Sequence, residues 1–438
     1  MAISPIPHWF EGSEYTHKVA ACIMKYGPIS RITLAQILGL SQGAVSRITS
    51  DLIYAGVIEE TPMAAGHGGK LPKDFLRKSA QKSIQKENTE RRGRPQTGLR
   101  IIANARTFVG MKINTTHITA VTVNALGQIV TGCHDLPLDD DSPESVVDVI
   151  KQLTMDCADE AIMAGLPSPC AVGVSLGGHI VDDSMVTFAP FLHWSKPVEF
   201  SALIQEATGL PTGIYNDIDS LVVDACMFGS GVGLNSFAVV TIGIGVGYSL
   251  TVNGEPIDNP DKSYGLVGHI LVDPDGPRCI SGHKGCATCL TDNSIATEYS
   301  EMIGHPATFD EFAAAARASK TQATNLVNRT CFRLGTLIAT IANLAMPDKI
   351  MIAGESSFIA KLGIDDLRNG INMYRHSQAT PVDSKSPSTT VAVEQSGRSA
   401  SHSPVCRVSR SESLSQCEAG TRKYQPHHTK QILRCGLL

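Results

Sequence analysis

Several features that would place the chain in a specialised class are missing from its 438 residues. No uninterrupted apolar run reaches about 18 residues, so a membrane span is not expected. Residues 1–15 lack the basic stretch and apolar core of a secretion signal, and 12 cysteines are too few for a disulfide scaffold. Aromatic residues are scarce at 5%, yet 42% of the residues are hydrophobic, which is ample for packed cores. We expect a cytoplasmic protein with about two or three domains.

Charge is distributed unevenly along the chain. The formal total is −5, but residues 66–106 hold 11 Lys or Arg against 3 Asp or Glu, so this segment carries +8 and the remainder −13. A basic segment on an acidic protein predicts a polyanionic partner that touches only part of the molecule.

Hydrophobic spacing predicts three short helices near the N-terminus, at residues 16–26, 31–38 and 42–54. Ser41 stands at the N-cap position of the third. Two helices joined by a short turn with a glycine predict a helix-turn-helix, whose last helix enters the major groove of DNA. The alternative is an ordinary three-helix bundle. The candidate DNA-contacting residues here are Ser41, Gln42, Ser46, Arg47 and Ser50.

The basic segment lies between two strand-like stretches, at residues 56–60 and 98–102. It ends in Arg91-Arg92-Gly93-Arg94-Pro95 and is too polar to fold by itself. Basic side chains neutralise phosphates, and Arg94 can enter a narrow minor groove. The pattern therefore predicts a long basic wing beside the helices. The alternative is a charged surface that faces only solvent.

Strand and helix signals alternate over residues 107–372, which predicts two α/β lobes with a cleft between them. Three of the cysteines are clustered at Cys279, Cys286 and Cys289, as metal ligands often are. His269 precedes them and follows a strand-like stretch at residues 264–267.

The helix-turn-helix, Gly93-Arg94-Pro95 and the α/β body together resemble a transcriptional regulator of the ROK family (repressors, open reading frames and sugar kinases). The most specific element is Gly268-His269, followed by Cys279 and then by Gly282-His283-Lys284-Gly285-Cys286. The resemblance implies a winged helix-turn-helix in residues 1–105 and a two-lobed, actin-like (RNase-H-like) ROK domain in residues 106–375. It also implies a sugar site in the cleft. The candidate sugar-binding residues are Gly178, Asn216, Asp217 and His269.

Some of the family's motifs are altered here. The family's kinases hold Mg-ATP with an Asp-x-Gly-Gly-Thr loop, where this chain has Lys112-Ile113-Asn114-Thr115-Thr116. Since phosphoryl transfer depends on positioning and on metal-borne charge, we expect no enzymatic activity and no catalytic residue. Two glutamates that the family uses for the sugar are Leu266 and Thr288 here, so a standard hexose is expected to bind more weakly.

A structural zinc is also implied by the resemblance, because the family binds one with a His and three cysteines spaced Cys-x-Cys-x4-Cys. The middle cysteine is Ser281 in this chain, and either Cys289 or His283 can replace it. The expected ligand set is His269, Cys279, Cys286 and Cys289. The alternative is a loop with free thiols.

Residues 376–438 are rich in Ser, Arg, Gln and His and show no amphipathic period. In the family a last strand and a helix follow at this point, and no match to them is expected here. The stretch is predicted to be either a disordered tail or the product of a frame change near Gln378.

These observations predict a sugar-responsive DNA-binding transcriptional regulator, acting as a repressor of carbohydrate genes. Its expected partners are a double-stranded DNA operator, a sugar or sugar-phosphate effector and further copies of itself in a homodimer or homotetramer. Two alternatives stay open: a ROK-family sugar kinase that uses ATP, and a degenerate interaction protein.

Overall fold

The computed structural model describes residues 12–63, 71, 97–257, 259, 261, 264–379 and 390–393. The helices in these residues are α1 (Glu14–Tyr26), α2 (Arg31–Leu38), α3 (Gln42–Tyr54), α4 (Pro143–Met163), α5 (Phe200–Thr208), α6 (Asp217–Met227), α7 (Asp292–Ile303), α8 (Phe309–Arg317), α9 (Thr321–Leu344), α10 (Phe358–Leu362) and α11 (Ile364–Met373). The strands are β1 (Ile58–Pro62), β2 (Thr97–Ile101), β3 (Thr107–Ile113), β4 (His117–Asn124), β5 (Ile129–Pro137), β6 (Pro169–Leu176), β7 (His179–Val181), β8 (Met185–Phe188), β9 (Thr212–Asn216), β10 (Ser236–Ile242), β11 (Val246–Val252), β12 (Glu255–Pro256), β13 (Lys349–Ala353) and β14 (Thr390–Val393).

The first three helices and the antiparallel pair β1–β2 form the head of the molecule. Each helix starts at a serine whose hydroxyl accepts a hydrogen bond from a backbone N–H three residues later, which stabilises the helix N-terminus. Arg31 ties the parts together, since its guanidinium bonds to Thr49 on α3 at 2.9 Å and to Glu60 on β1 at 2.8 Å. The three predicted helices are present, and α1 begins two residues earlier than expected.

Two five-stranded sheets with the same connectivity make up the body. Their strand orders are β5-β4-β3-β6-β9 and β12-β11-β10-β13-β14. In each sheet the first three strands are antiparallel neighbours and the last two join in parallel. Parallel neighbours need a crossover, and helices supply it: α4 connects β5 to β6 and α5 lies before β9. The predicted two α/β lobes are therefore present.

Each lobe has its own apolar core. The first sheet packs with α4 and α5 in one cluster that continues into the head helices. The second sheet packs with α7, α8 and α9 in another cluster. Because head and first lobe share one core, buried side chains, and not only the peptide chain, hold the head against the body.

Two expectations for local structure need correction. Residues 264–267 do not form a strand; Gly265 takes a left-handed conformation with φ of 66°, and Leu266–His269 form a short 3-10 helix. A last strand, which the sequence did not lead us to expect after residue 376, is present as β14 and pairs in parallel with β13. Among the described residues, no helix combines the length and apolar composition needed to cross a membrane.

Helices α9 and α11 approach closely at two glycines. A Cβ on Gly335 would collide with the carbonyl oxygen of Leu367, and one on Gly370 with the carbonyl oxygen of Phe332. Both obstacles are backbone atoms, which cannot rotate away. Glycine is therefore required where these two helices cross.

We expect Gly335→Ala to lower the free energy of unfolding by about 1–3 kcal/mol, because overpacking outweighs the better helix propensity of alanine. Gly43→Ala on α3 is the matched control, since nothing lies within 4 Å of a Cβ there. It should leave stability unchanged or raise it. Chemical unfolding of both variants measures the difference, and a Gly335→Ala protein as stable as Gly43→Ala would contradict the close helix contact.

Candidate functional site

The cleft-facing residues of the first lobe come from the ends of parallel strands. Asn216 ends β9 and caps α6: its Oδ1 accepts a hydrogen bond from Ile218 N at 2.9 Å, and its Nδ2 donates to the Gly178 carbonyl at 2.8 Å. Gly178 has no space for a side chain, because a Cβ would meet the Phe188 carbonyl at 2.5 Å. Three predicted sugar-site residues, Gly178, Asn216 and Asp217, are thus brought together by the strand ends.

The Asp217 carboxylate is already paired. Lys112 Nζ on β3 donates to Asp217 Oδ2 at 2.6 Å, and the lysine side chain is only 9% exposed. The second oxygen, Oδ1, is buried and has no hydrogen-bond partner among the described residues. The ammonium therefore occupies one carboxylate oxygen, and the other is a hydrogen-bond acceptor without a donor from the described residues.

Acidic side chains surround the glycines that follow β10. A Cβ on Gly243 would lie 2.5 Å from Glu355 Oε2, and Asp292 N donates to the Gly243 carbonyl at 2.8 Å. Asp292 also accepts a hydrogen bond from Ser356. Glu355 was missed by the sequence analysis, although its position directly after Ala353-Gly354 was a usable signal. Carboxylates here repel anions, so phosphate groups are disfavoured beside Gly243.

Four metal-ligating side chains converge in the loop of the second lobe. The ligand atoms of His269, Cys279, His283 and Cys286 all lie within 4.8 Å of one another. The Nδ1 atoms of the two histidines are 3.2 Å apart, and their rings meet edge-on. Tetrahedral zinc with imidazole and thiolate ligands places ligand atoms about 3.3–3.8 Å apart, so this donor set fits such an ion.

Cys289 does not belong to this cluster, which corrects the expected ligand set. It lies on the 3-10 helix Ala287–Leu290 and is buried in the core of the second lobe. Burial raises the pKa of the Cys289 thiol to about 12, so it stays protonated at neutral pH. The structure brings His283 to the fourth position, the other option that the sequence left open. The spacing of three residues between Cys286 and Cys289 did not show that the backbone directs Cys289 into the core of the second lobe.

The metal-binding loop is fixed by close backbone packing and one buried arginine. Gly285, with φ of 69°, lies directly on the Asp273 carbonyl, where no side chain fits. Arg333 on α9 holds the Asp273 carboxylate at 2.8 Å and Glu298 of α7 at 2.7 Å, with its own side chain 4% exposed. These contacts fix the backbone of the loop beside Cys286.

A cavity of about 450 Å³ lies beside Asn216. The start of α6, strand β11 and residues 265–267 line it, so Asn216 stands at one wall and the 3-10 helix that carries His269 at another. Leu266, at the position where the resemblance implies a glutamate, lines the cavity as well.

The head presents its third helix outward. Gln42, Ser46, Arg47 and Ser50 are all exposed on α3, whereas Val45, Thr49 and Leu52 are buried on the opposite side. Ser41 is the N-cap, and its hydroxyl accepts from Ala44 N at 3.2 Å. Arg94 lies outside the described residues. Tyr54, at the end of α3 and 95% exposed, was not singled out in the sequence, although it stands one turn after Ser50.

A profile of the ROK family matches residues 108–399, well over half of the chain. The chain belongs to the ROK family. The match passes residue 375 and includes β14, so the expectation that nothing after residue 376 resembles the family is wrong up to residue 399. In ROK terms the two lobes are the halves of the actin-like domain.

Curated relatives are similar over about four-fifths of this chain. The DNA-binding transcriptional repressor Mlc of Escherichia coli is 23% identical, over 78% of this chain and 80% of that protein. The DNA-binding transcriptional dual regulator NagC of the same organism is 25% identical, over 80% and 82%. The xylose repressor of Bacillus subtilis is 20% identical, over 81% and 86%.

Solved structures show the same fold. A ROK family transcriptional regulator, described as a homologue of E. coli Mlc, superposes with a TM-score of 0.67 at 21% identity and covers 97% of this chain and 96% of its own. A ROK glucokinase from Streptomyces griseus, solved with glucose and AMPPNP, gives 0.54 at 21% identity and covers 66% of this chain and 95% of its own. The regulator includes a counterpart of the head, whereas the kinase matches a smaller part of the chain.

The buried carboxyl beside Gly243 predicts a pH effect. Burial raises the pKa of Asp292 to about 6, and the Ser356 hydrogen bond only partly opposes it. A carboxyl with a raised pKa in the folded state contributes stability that is full below the unfolded value, near 4, and is lost as the pH rises through about 6. Asp292→Asn keeps the acceptor oxygen but cannot ionise.

We therefore expect the wild-type free energy of unfolding to fall by roughly 2–3 kcal/mol between about pH 4 and pH 7 through this group. Asp292→Asn should lack that fall and be more stable at pH 7. Thermal unfolding across this pH range measures it, with Asp365→Asn, an exposed carboxylate, as control. An unchanged pH slope in Asp292→Asn would show that this carboxyl is not desolvated.

Proposed function

We propose that this ROK protein is a sugar-responsive DNA-binding transcriptional regulator that acts as a repressor. The observation that carries the proposal is the outward face of α3, where Gln42, Ser46, Arg47 and Ser50 stand together on a head packed firmly against a ROK body. The names of the curated relatives support it, since Mlc and the xylose repressor are both named as repressors.

The head fits a winged helix-turn-helix. The α2–α3 pair supplies the two helices and β1–β2 the base of the wing. In this arrangement α3 enters the major groove, where arginine and glutamine side chains can read base edges and serine hydroxyls can bind bases or phosphates. Arg94 and the other basic residues of the segment would bind flanking phosphates or a minor groove.

A repressor of this kind would bind a palindromic operator as a homodimer or homotetramer, because two-fold symmetric heads match two-fold symmetric half-sites. A ligand in the cleft would alter the angle between the lobes and so the spacing of the two heads. DNA and effector would then weaken each other's binding by the same factor, as linkage requires.

The effector would bind beside Gly178, Asn216, Asp217 and His269. Asp217 Oδ1, buried and without a donor, supports this placement because a ligand hydroxyl would complete its hydrogen bonding. His269 would contribute its second ring nitrogen, since Nδ1 faces the metal cluster.

The cofactor we propose is one structural zinc, held by His269, Cys279, His283 and Cys286. Two imidazoles and two thiolates are a donor set that zinc prefers over magnesium or calcium. The ion would hold the 3-10 helix with His269 and the cysteine loop together.

A sugar kinase of the same family is the second candidate, and two contacts disfavour it. Lys112 neutralises the carboxylate that would accept the proton of a sugar hydroxyl. Glu355 lies over Gly243, where negative charge opposes the approach of ATP phosphates. The Streptomyces griseus structure shows a shared fold and does not by itself favour a shared reaction.

We expect Arg47→Ala to weaken binding to an operator selected from random DNA by about 1–3 kcal/mol and to broaden its sequence preference, because a base contact is removed. Titration of labelled operator at fixed salt measures the loss. Arg368→Ala, an exposed arginine on α11, is the control and should bind as the wild type does. If Arg47→Ala also retains wild-type affinity and specificity, α3 is not the recognition helix.

We expect about one zinc per chain in the purified protein, lost in His283→Ala and retained in Cys289→Ser, because only the former removes a converging ligand. Elemental analysis gives the metal content, and the unfolding temperature should fall both in His283→Ala and in the wild type treated with a chelator. The reverse result, zinc lost with Cys289 and kept without His283, would restore the ligand set first expected from the sequence.

A further inference from the structure

The walls of the cleft cavity are mostly apolar. The side chains of this kind that line it are Ile218, Val246, Leu250, Ile257, Leu266 and Val267. A volume of about 450 Å³ lies within the range of small-molecule sites. Apolar walls suit the carbon skeleton of a ligand and not a ring of hydroxyl groups, because a buried hydroxyl without a partner costs free energy.

Six polar side chains also line the cavity, and some of them are engaged within the protein: Asn216, Asp219, Tyr248, Ser249, Asn259 and Asp261. Ser249 Oγ donates to Asp219 Oδ1 at 2.9 Å, and both residues line the cavity. Burial raises the pKa of Tyr248 to about 12, so this lining side chain remains a neutral phenol. Asn216 uses its amide to cap α6 and to hold Gly178. Asp217 follows Asn216 of the cavity wall in sequence, and its Oδ1 atom has no hydrogen-bond partner among the described residues.

Aromatic rings stand close to this wall. Tyr264 directly precedes Gly265, which lines the cavity, and its ring stacks on His179 with centroids 5.9 Å apart and an angle of 13°. Phe188 lies 6.2 Å from the same ring, and both Tyr264 and Phe188 are exposed. Exposed aromatic rings near an apolar cavity favour a ligand with an apolar, planar part.

We propose that the effector of this cleft is a glycoside with an apolar aglycone. Its sugar would hydrogen-bond at Asp217, and its aglycone would enter the cavity between α6, β11 and Leu266. The inference rests on the proposed function for the location of the sugar end. The location of the aglycone is inferred from the apolar lining of the cavity and does not depend on the proposed function.

Calorimetric titration of the full chain tests the proposal with pairs of ligands that differ only in the aglycone. The pairs are the methyl and phenyl β-glycosides of glucose, xylose and N-acetylglucosamine, with phenol as a further ligand. For at least one sugar, the phenyl glycoside should bind at least tenfold more tightly than its methyl partner, and phenol alone should bind more weakly than that phenyl glycoside. Equal affinities within all pairs, no binding by any phenyl glycoside, or equally tight binding of phenol would each overturn it.

Two matched variants locate the aglycone. Leu266 and Leu271 are equally exposed, at 57%, but only Leu266 lines the cavity. Leu266→Asp should reduce the phenyl preference to less than threefold, whereas Leu271→Asp should retain it. Their exposure makes both changes compatible with folding, and circular dichroism verifies this. A phenyl preference that survives Leu266→Asp would place the aglycone elsewhere and contradict the proposal.

Failure of this inference and failure of the proposed function give different results. If phenyl glycosides bind as expected but no operator is found, the regulator assignment fails and the ligand class stands. If an operator is found and free sugars release the protein from it as well as phenyl glycosides do, the ligand class fails and the regulator assignment stands.

Discussion

The ion pair between Lys112 and Asp217 determines what the cleft can do. It joins β3 of the first sheet to the start of α6, a helix that packs on the second sheet, and it sets a positive charge against the Asp217 carboxylate. Because removal of one partner of a buried pair leaves the other charge uncompensated, the two residues depend on each other. The pair engages Asp217 Oδ2 and leaves Oδ1 without a hydrogen-bond partner among the described residues.

Other parts of the molecule are consistent with a body used for recognition. Glu355 and Asp292 place negative charge beside Gly243. In the second lobe, Arg333 and the close backbone contact at Gly285 both hold Asp273, in the loop that carries three of the four converging His and Cys side chains. These contacts hold side chains in fixed positions. A binding protein needs such fixed side chains as much as an enzyme does.

The shared core of head and first lobe has a mechanical consequence. If only a peptide linker joined the head to the body, a conformational change within the body would not move the head. Here buried side chains of α1 and β2 belong to the same cluster as those of β3 and β4. Movement of the first lobe relative to the second would therefore carry the head with it, which is the coupling that effector control of DNA binding needs.

The local elements were set by the sequence itself, because helix caps and hydrophobic period act over a few residues. Gly39 marks the C-terminal end of α2, and Ser41 marks the start of α3. The alternation of strand and helix signals in residues 107–372 predicted both lobes. Residues 264–267 misled, since a left-handed glycine breaks a strand that apolar content alone predicts. The strand β14 was missed because its pairing with β13 joins segments far apart in the chain.

Both the sequence and the tertiary structure were needed to identify the candidate site. The resemblance to the family indicated Asn216 and Asp217 as sugar-site residues, and the sequence showed the clustered cysteines as candidate metal ligands. Only the tertiary structure decided that Lys112 pairs with Asp217, 105 residues away, and that His283 rather than Cys289 faces the other ligands. The direction of a side chain in an irregular loop is set by packing against distant residues, and spacing along the chain carries no information about it.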